Sequence, residues 1–137
     1  MITFPWFRIN DVDPARTYTA LIGLAELRSI TVVPTFTYYG ALIDWQLRHS
    51  SEVVGFRTAM APLGLRFYHL SVWEDRKSLH QFIRAGSHRR AMDTLDTAWL
   101  GRATFSYWEV SGAELPLKFP RELFRLGPDS PGRVVYP

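Results

Sequence analysis

Cysteine is absent from this chain of 137 residues. Its absence excludes disulfide bonds, thiolate nucleophiles and cysteine-based zinc sites, and it suits a reducing compartment, so we expect a cytoplasmic location. Lysine is scarce as well: 14 of the 16 basic residues are arginine, and the net charge is +3. Because this small excess is spread along the chain, it does not indicate a nucleic-acid partner, which would require basic residues clustered on one face.

Long apolar runs are also missing. The longest uncharged segment, Ser29–Ile43, has 15 residues and contains Pro34, which makes it too short and too interrupted to span a bilayer. The opening segment MITFPWFRINDVDP lacks the basic start and continuous apolar stretch of a secretory signal. We therefore expect a soluble protein with no membrane span.

The sequence contains none of the familiar motifs for metals, nucleotides or hydrolysis. Its four histidines show no His-x-x-His or His-x-x-x-His spacing, so spacing predicts no metal site. There is no glycine-rich phosphate loop and no Ser-His-Asp motif. Nucleotide-binding and hydrolase chemistry therefore have no support in the sequence.

What the chain does have is aromatic side chains, at 15% of all residues with five tryptophans. This content predicts a large aromatic core, an aromatic pocket or a buried interface. The length predicts one domain, which we assign to residues 1–115 with an irregular segment over residues 1–15. Residues 116–137 hold five of the nine prolines and are expected to form an extended C-terminal arm.

Hydrophobic periodicity predicts two amphipathic helices and four strands. The helical stripes are Phe36, Tyr39, Ile43 and Leu47 in the first helix, and Leu79, Phe82 and Ile83 in the second. The predicted strands are Arg16–Leu27, Val53–Met60, Leu65–Trp73 and Ala103–Val110. The order β-α-β-β-α-β predicts an α+β, ferredoxin-like fold, in which an antiparallel four-stranded sheet carries both helices on one face.

The strand Arg16–Leu27 is apolar on both of its alternating faces, whereas the helices of this fold cover only one face of the sheet. A second copy of the sheet would cover the other face. The sequence therefore predicts a homodimer, a dimeric α/β barrel.

The stretch LGLRFYHLSVWEDRKSLHQFIRAGSHRRAM, together with ATFSYWEVSGAELP, resembles the dimeric α/β-barrel monooxygenase-like superfamily. That group includes antibiotic-biosynthesis, haem-degrading and spheroidene monooxygenases. The matching features are a strand ending in SVWED, an apolar helix stripe, a histidine after a small-residue break at Ser87–His88, and a strand ending in WEV. The resemblance implies a flat, apolar or aromatic substrate and either oxidation without a bound cofactor or, alternatively, haem binding.

Three departures separate this chain from the haem-degrading branch. That branch carries a tryptophan where this sequence has Phe82, and a haem-ligand histidine three or four residues beyond His88, where this sequence has Ala91 and Met92. It also carries an asparagine on the first strand, but the only asparagine here is Asn10, ahead of that strand. The resemblance therefore points away from haem degradation of that kind.

Two histidines are candidate catalytic bases, because an imidazole takes a proton near neutral pH. His88 would lie at the start of a short helical segment capped by Ser87; the alternative is a polar helix-start residue that faces water. His69 alternates with Phe67, Ser71 and Trp73, so it points into a cavity if those residues do. The alternative for His69 is a hydrogen-bonded core residue.

Substrate-binding candidates are Arg89 and four aromatic residues. Arg89 would bind an acidic group, or else pair with Asp93 one helical turn later. The aromatic candidates for the wall of a pocket are Tyr68, Trp73, Tyr107 and Trp108. Because Tyr107 and Trp108 are adjacent on a strand, they point to opposite faces, and only one of them can line a cavity.

Three functions remain open at this stage. The first is a homodimeric monooxygenase-like enzyme that oxidises a flat apolar molecule without a bound cofactor. The second is a haem-binding member of the same fold. The third is a non-catalytic ligand-binding or dimerisation module, which a barrel filled with side chains would favour.

Overall fold

The computed structural model describes residues 2–61, 65–84, 100–117 and 133–136. These residues form one antiparallel sheet and two α-helices. The strands are β1 Ile2–Thr3, β2 Phe7–Arg8, β3 Thr17–Leu27, β4 Val53–Met60, β5 Arg66–Trp73, β6 Leu100–Ser111 and β7 Arg133–Tyr136. The helices are α1 Val33–Arg48 and α2 Arg76–Ile83.

The four long strands lie in the order β4-β5-β3-β6, and every neighbouring pair is antiparallel. The central strand β3 pairs with β5 on one side and with β6 on the other. Both helices pack on the same face, where Leu47 of α1 and Leu79 of α2 join Leu21 and Trp73 of the sheet in one buried cluster. The predicted α+β, ferredoxin-like fold and its β-α-β-β-α-β order are confirmed.

The N-terminal segment differs from the irregular conformation predicted for residues 1–15. Its two-residue strands β1 and β2 pair with the outer edge of β4, in the registers Ile2 to Met60 and Phe7 to Phe56. The Asn10 side chain donates hydrogen bonds to the carbonyl oxygens of Ser50 and Ser51, each at 3.2 Å. Such short pairings depend on a preformed edge of β4, so the local sequence pattern does not reveal them.

Within the predicted C-terminal arm, residues 133–136 form β7, which pairs with β6. The arm residues 118–132 and the helical segment predicted after Ser87 lie outside the described residues.

The second face of the sheet is partly covered by the chain itself. Tyr18, Val54 and Val72 form a buried cluster there, and side chains from both ends of the domain pack against it. The covering residues are Trp6, Val12, Leu115 and Leu117. Fully burying an aliphatic side chain is worth about 1.5–3 kcal/mol relative to leaving it exposed. The covering side chains are partly buried, so each contributes part of that amount to the stability of the fold.

Gly55 permits the closest of these contacts. A Cβ atom at Gly55 would lie 2.5 Å from the Trp6 ring, so only glycine lets the indole approach the β4 backbone this closely. Because the chain supplies this cover, an apolar second face no longer requires another copy of the sheet. The homodimer therefore stays a prediction.

The helix α2 begins at an aspartate cap. The Asp75 Oδ1 atom accepts a hydrogen bond from the Ser78 backbone N–H at 2.7 Å, as an N-cap residue does. This hydrogen bond is stronger with the charged carboxylate, and it therefore holds the pKa of Asp75 below its ordinary value of 3.8.

We predict that Asp75→Ala lowers the free energy of unfolding by about 1 kcal/mol at neutral pH. Because the pKa of Asp75 is lower in the folded chain, the stabilisation is complete above pH 3.8 and is lost as the pH falls through the lower folded value. Urea unfolding at neutral pH and at a pH below 3.8 measures the effect. Asp75→Asn, which can still cap the helix, is the control, and an equal loss for Asn and Ala would contradict the capping role.

Candidate functional site

A cavity of about 420 Å³ lies between the sheet and the two helices. Strands β3, β4, β5 and β6 contribute to its floor, and α1 and α2 form its roof. Its volume falls within the range of about 300–1,000 Å³ that small-molecule pockets occupy. The side chains of the described residues therefore leave space between the helices and the sheet.

The alternation of β5 directs four side chains toward this cavity. Phe67, His69, Ser71 and Trp73 all contribute to its lining, because every second residue of a strand points to the same face. Two aromatic contacts between helix and sheet lie near the ends of this row. Phe36 of α1 meets Phe67 edge-on with 5.1 Å between ring centroids, and Phe82 of α2 meets Trp73 at 4.8 Å.

His69 lies on the floor between these two aromatic contacts. It is in register with Thr58 of β4 on one side and with Gly23 of β3 on the other. Its ring stacks on Phe56, with 5.6 Å between centroids and 26° between planes. The half-buried imidazole is thus oriented by packing while remaining part of the cavity wall.

Trp73 is a fixed part of the wall. Its indole N–H donates a hydrogen bond of 2.8 Å to the Ser71 Oγ atom, and both residues are fully buried. The hydrogen bond satisfies the polar atom of the ring, so the tryptophan contributes an apolar surface to the cavity.

Phe105 is a lining residue that the sequence analysis missed. Its ring lies over Gly23 of the neighbouring strand, where a Cβ atom would come within 3.0 Å of the ring. A glycine inside an otherwise apolar strand was the available signal, since it marks the close approach of another group.

The helix α1 brings a carboxylate to the cavity. The Asp44 Oδ2 atom accepts a hydrogen bond from the Arg48 Nε atom at 2.8 Å, one helical turn later. The Arg48 guanidinium also lies 4.0 Å above the centroid of the Phe7 ring. The i,i+4 spacing of Asp44 and Arg48 was visible in the sequence, but its position beside a cavity depends on the packing of α1.

Three of the aromatic candidates are not among the lining residues of this cavity. Tyr107 lies beside α2, with the Arg76 guanidinium 4.8 Å above its ring. Trp108 packs on the second face of the sheet. Tyr68 is buried and precedes His69 on β5, so it points to that second face as well. The remaining candidates, His88 and Arg89, lie outside the described residues.

The cavity is strongly apolar. In the described part of the chain, its lining includes no lysine or arginine, and its ionisable groups are His69, Asp44 and the phenol of Tyr39. Across residues 2–61, 65–84, 100–117 and 133–136, no three His, Asp or Glu side chains come together as metal ligands would. No helix within these ranges has the length and hydrophobicity needed to cross a membrane.

Comparison with known proteins finds similarity in structure alone. No family model matches the sequence, and no curated protein matches it either. Solved structures do match. A protein assigned as an antibiotic biosynthesis monooxygenase from Nitrosomonas europaea has a TM-score of 0.58 at 13% identity, with 66% of this chain and 95% of that chain covered. The chain shares the fold of this protein.

Two further structures share this fold. A conserved protein from Methanosarcina mazei Go1 has a TM-score of 0.59 at 13% identity, over 66% of this chain and 90% of that one. SnoaB, a cofactor-independent oxygenase from Streptomyces nogalater, has a TM-score of 0.53 at 10% identity, over 76% of this chain and 98% of that one. The resemblance seen in the sequence is thus confirmed at the level of the fold.

We predict that Ser71→Ala lowers the free energy of unfolding by about 1–3 kcal/mol, because it leaves the buried Trp73 N–H without its acceptor. In a Trp73→Phe background the same serine change should cost much less, since the donor is then absent. Urea unfolding of the four proteins in this double-mutant cycle measures the coupling. Equal losses in both backgrounds would show that the hydrogen bond does not account for the effect.

Proposed function

We propose that the protein binds a flat aromatic molecule in this cavity and oxidises it with molecular oxygen, without a bound cofactor, and that His69 is the base. The observation that carries the proposal is the position of His69, an imidazole in a mainly apolar wall between the Phe36–Phe67 and Trp73–Phe82 contacts. The structural similarity to a cofactor-independent oxygenase supports the same reaction class.

The chemistry balances without an external reductant. His69 takes a proton from a phenol or from an acidic ring CH₂ of the substrate, and the resulting anion transfers one electron to O₂. The substrate radical and superoxide then form a C–O bond, which gives a peroxide. Loss of the second hydrogen and cleavage of the O–O bond leave a carbonyl group and water, so that CH₂ and O₂ become C=O and H₂O. The proton held by His69 returns to the departing oxygen.

The apolar lining favours this sequence of steps. A flat aromatic anion can stack against the Phe105 ring and against the Phe36–Phe67 and Trp73–Phe82 pairs at the two ends of the cavity. The lining has few polar groups that could hold water around the anion. Oxygen is itself apolar and can share such a space with the substrate. The protein's contribution is then orientation of the substrate, removal of a proton and exclusion of water.

Haem fits the described lining less well. Haem carries two propionates, and the described lining residues include no lysine or arginine to bind them. The neighbouring Arg48 is already paired with Asp44. Haem therefore has no part in the proposed reaction.

The homodimer and the cytoplasmic location predicted from the sequence belong to the same proposal. Sedimentation equilibrium of the purified chain measures its mass in solution and so tests the homodimer.

We predict that anthrone, a flat three-ring ketone with an acidic CH₂, is consumed with oxygen uptake by metal-free protein. Removal of a general base typically lowers such a rate by about 10²–10⁴-fold, so His69→Gln should lose activity to that extent. His80→Gln is the matched control, because His80 is an exposed histidine on α2 that does not line the cavity. His88→Gln tests the other sequence candidate.

An oxygen electrode and fluorescence titration of the same samples separate the alternatives. Full activity in His69→Gln would contradict the role of His69, and loss in His88→Gln alone would transfer that role to His88. Binding of anthrone without oxygen uptake by the wild type would contradict oxidation and favour a ligand-binding module.

A further inference from the structure

Gly40 occupies an unfavourable position for a glycine. It lies in the middle of α1, eight residues before the end at Arg48. Glycine is among the poorest helix formers in a helix interior, because it loses the most backbone freedom on folding. Some feature of the tertiary structure should therefore explain why a side chain is absent here.

Close packing does not explain Gly40. A Cβ atom placed there would meet no atom of the described residues within 4 Å. Gly23 and Gly55 differ in this respect, since the rings of Phe105 and Trp6 occupy the space that their side chains would need. The backbone at Gly40 is ordinary helix, so no unusual conformation requires glycine either.

The space beside Gly40 belongs to the cavity. Gly40 is one of the lining residues. Phe36, four positions before it, and Ile43 and Asp44, three and four positions after it, line the cavity as well. Residues at these spacings share one face of a helix. A side chain at position 40 would therefore extend from the roof into the cavity.

We propose that Gly40 determines the size of the ligand, and that its missing side chain leaves room for one ring of a polycyclic aromatic molecule. This inference rests on the binding part of the proposed function. A cavity of about 150 Å³ holds a single benzene ring, so a cavity of about 420 Å³ has room for two to three fused rings. A leucine at position 40 would fill the space of roughly one of them.

Fluorescence titration with phenol, naphthol and anthrol tests the proposal in the wild type, Gly40→Ala and Gly40→Leu. Both variants should raise the melting temperature, because alanine and leucine are better helix formers than glycine. Gly40→Leu should weaken anthrol binding by about 10–200-fold, the range that one misplaced group causes in an apolar pocket, and leave phenol binding unchanged. Gly40→Ala, which adds a single methyl group, should retain most of the anthrol affinity.

Tyr38→Leu is the matched control, since it adds a leucine to the exposed side of the same helix. Three outcomes would each overturn the proposal. They are unchanged anthrol binding in Gly40→Leu, an equal loss of binding for all three probes in Gly40→Leu, and no anthrol binding by the wild type. Size-selective binding without any oxygen uptake would instead leave it standing and reject only the oxidation step of the proposed function.

Discussion

The constraint on which the structure depends is a central strand that is apolar on both faces. β3 must bury Leu21 on one side of the sheet and Tyr18 and Ala20 on the other. The two helices cover the face that holds Leu21 and leave the face that holds Tyr18 and Ala20 uncovered. Trp6 and Leu117, from the two ends of the domain, then pack on the second face. The chain ends are thus part of the core, and a partner subunit is no longer the sole cover available.

The cavity exists because large and small side chains are unevenly distributed between helices and sheet. Aromatic contacts join α1 to Phe67 and α2 to Trp73, two residues separated by about 20 Å along an extended strand. Between them lie two small residues, Ser71 in the floor and Gly40 in the roof. Tight packing would normally close such a space. Here the Phe36–Phe67 and Trp73–Phe82 contacts hold the helices apart from the sheet, and the small residues between these contacts do not fill the space that is left.

The chemistry of this space follows from how few polar groups reach it. The carboxylate of Asp44 is paired with Arg48, and the Trp73 N–H is bound to Ser71. His69 adds an imidazole to this wall, and in the proposed function it acts as the base. The proposed reaction, in which the substrate supplies the electrons, requires only shape and a base from this wall.

The sequence by itself determined the order of strands and helices, since periods of two and of three to four residues depend only on which side chains must be buried. It also determined that His69 shares a face with Trp73, and that Tyr107 and Trp108 face opposite ways. Only the tertiary structure decided that Phe105 lies over Gly23, that Trp6 packs on the second face, and that Gly40 borders a cavity. Each of these is a contact, or a missing contact, between segments far apart in the chain, and local periodicity carries no information about such distances.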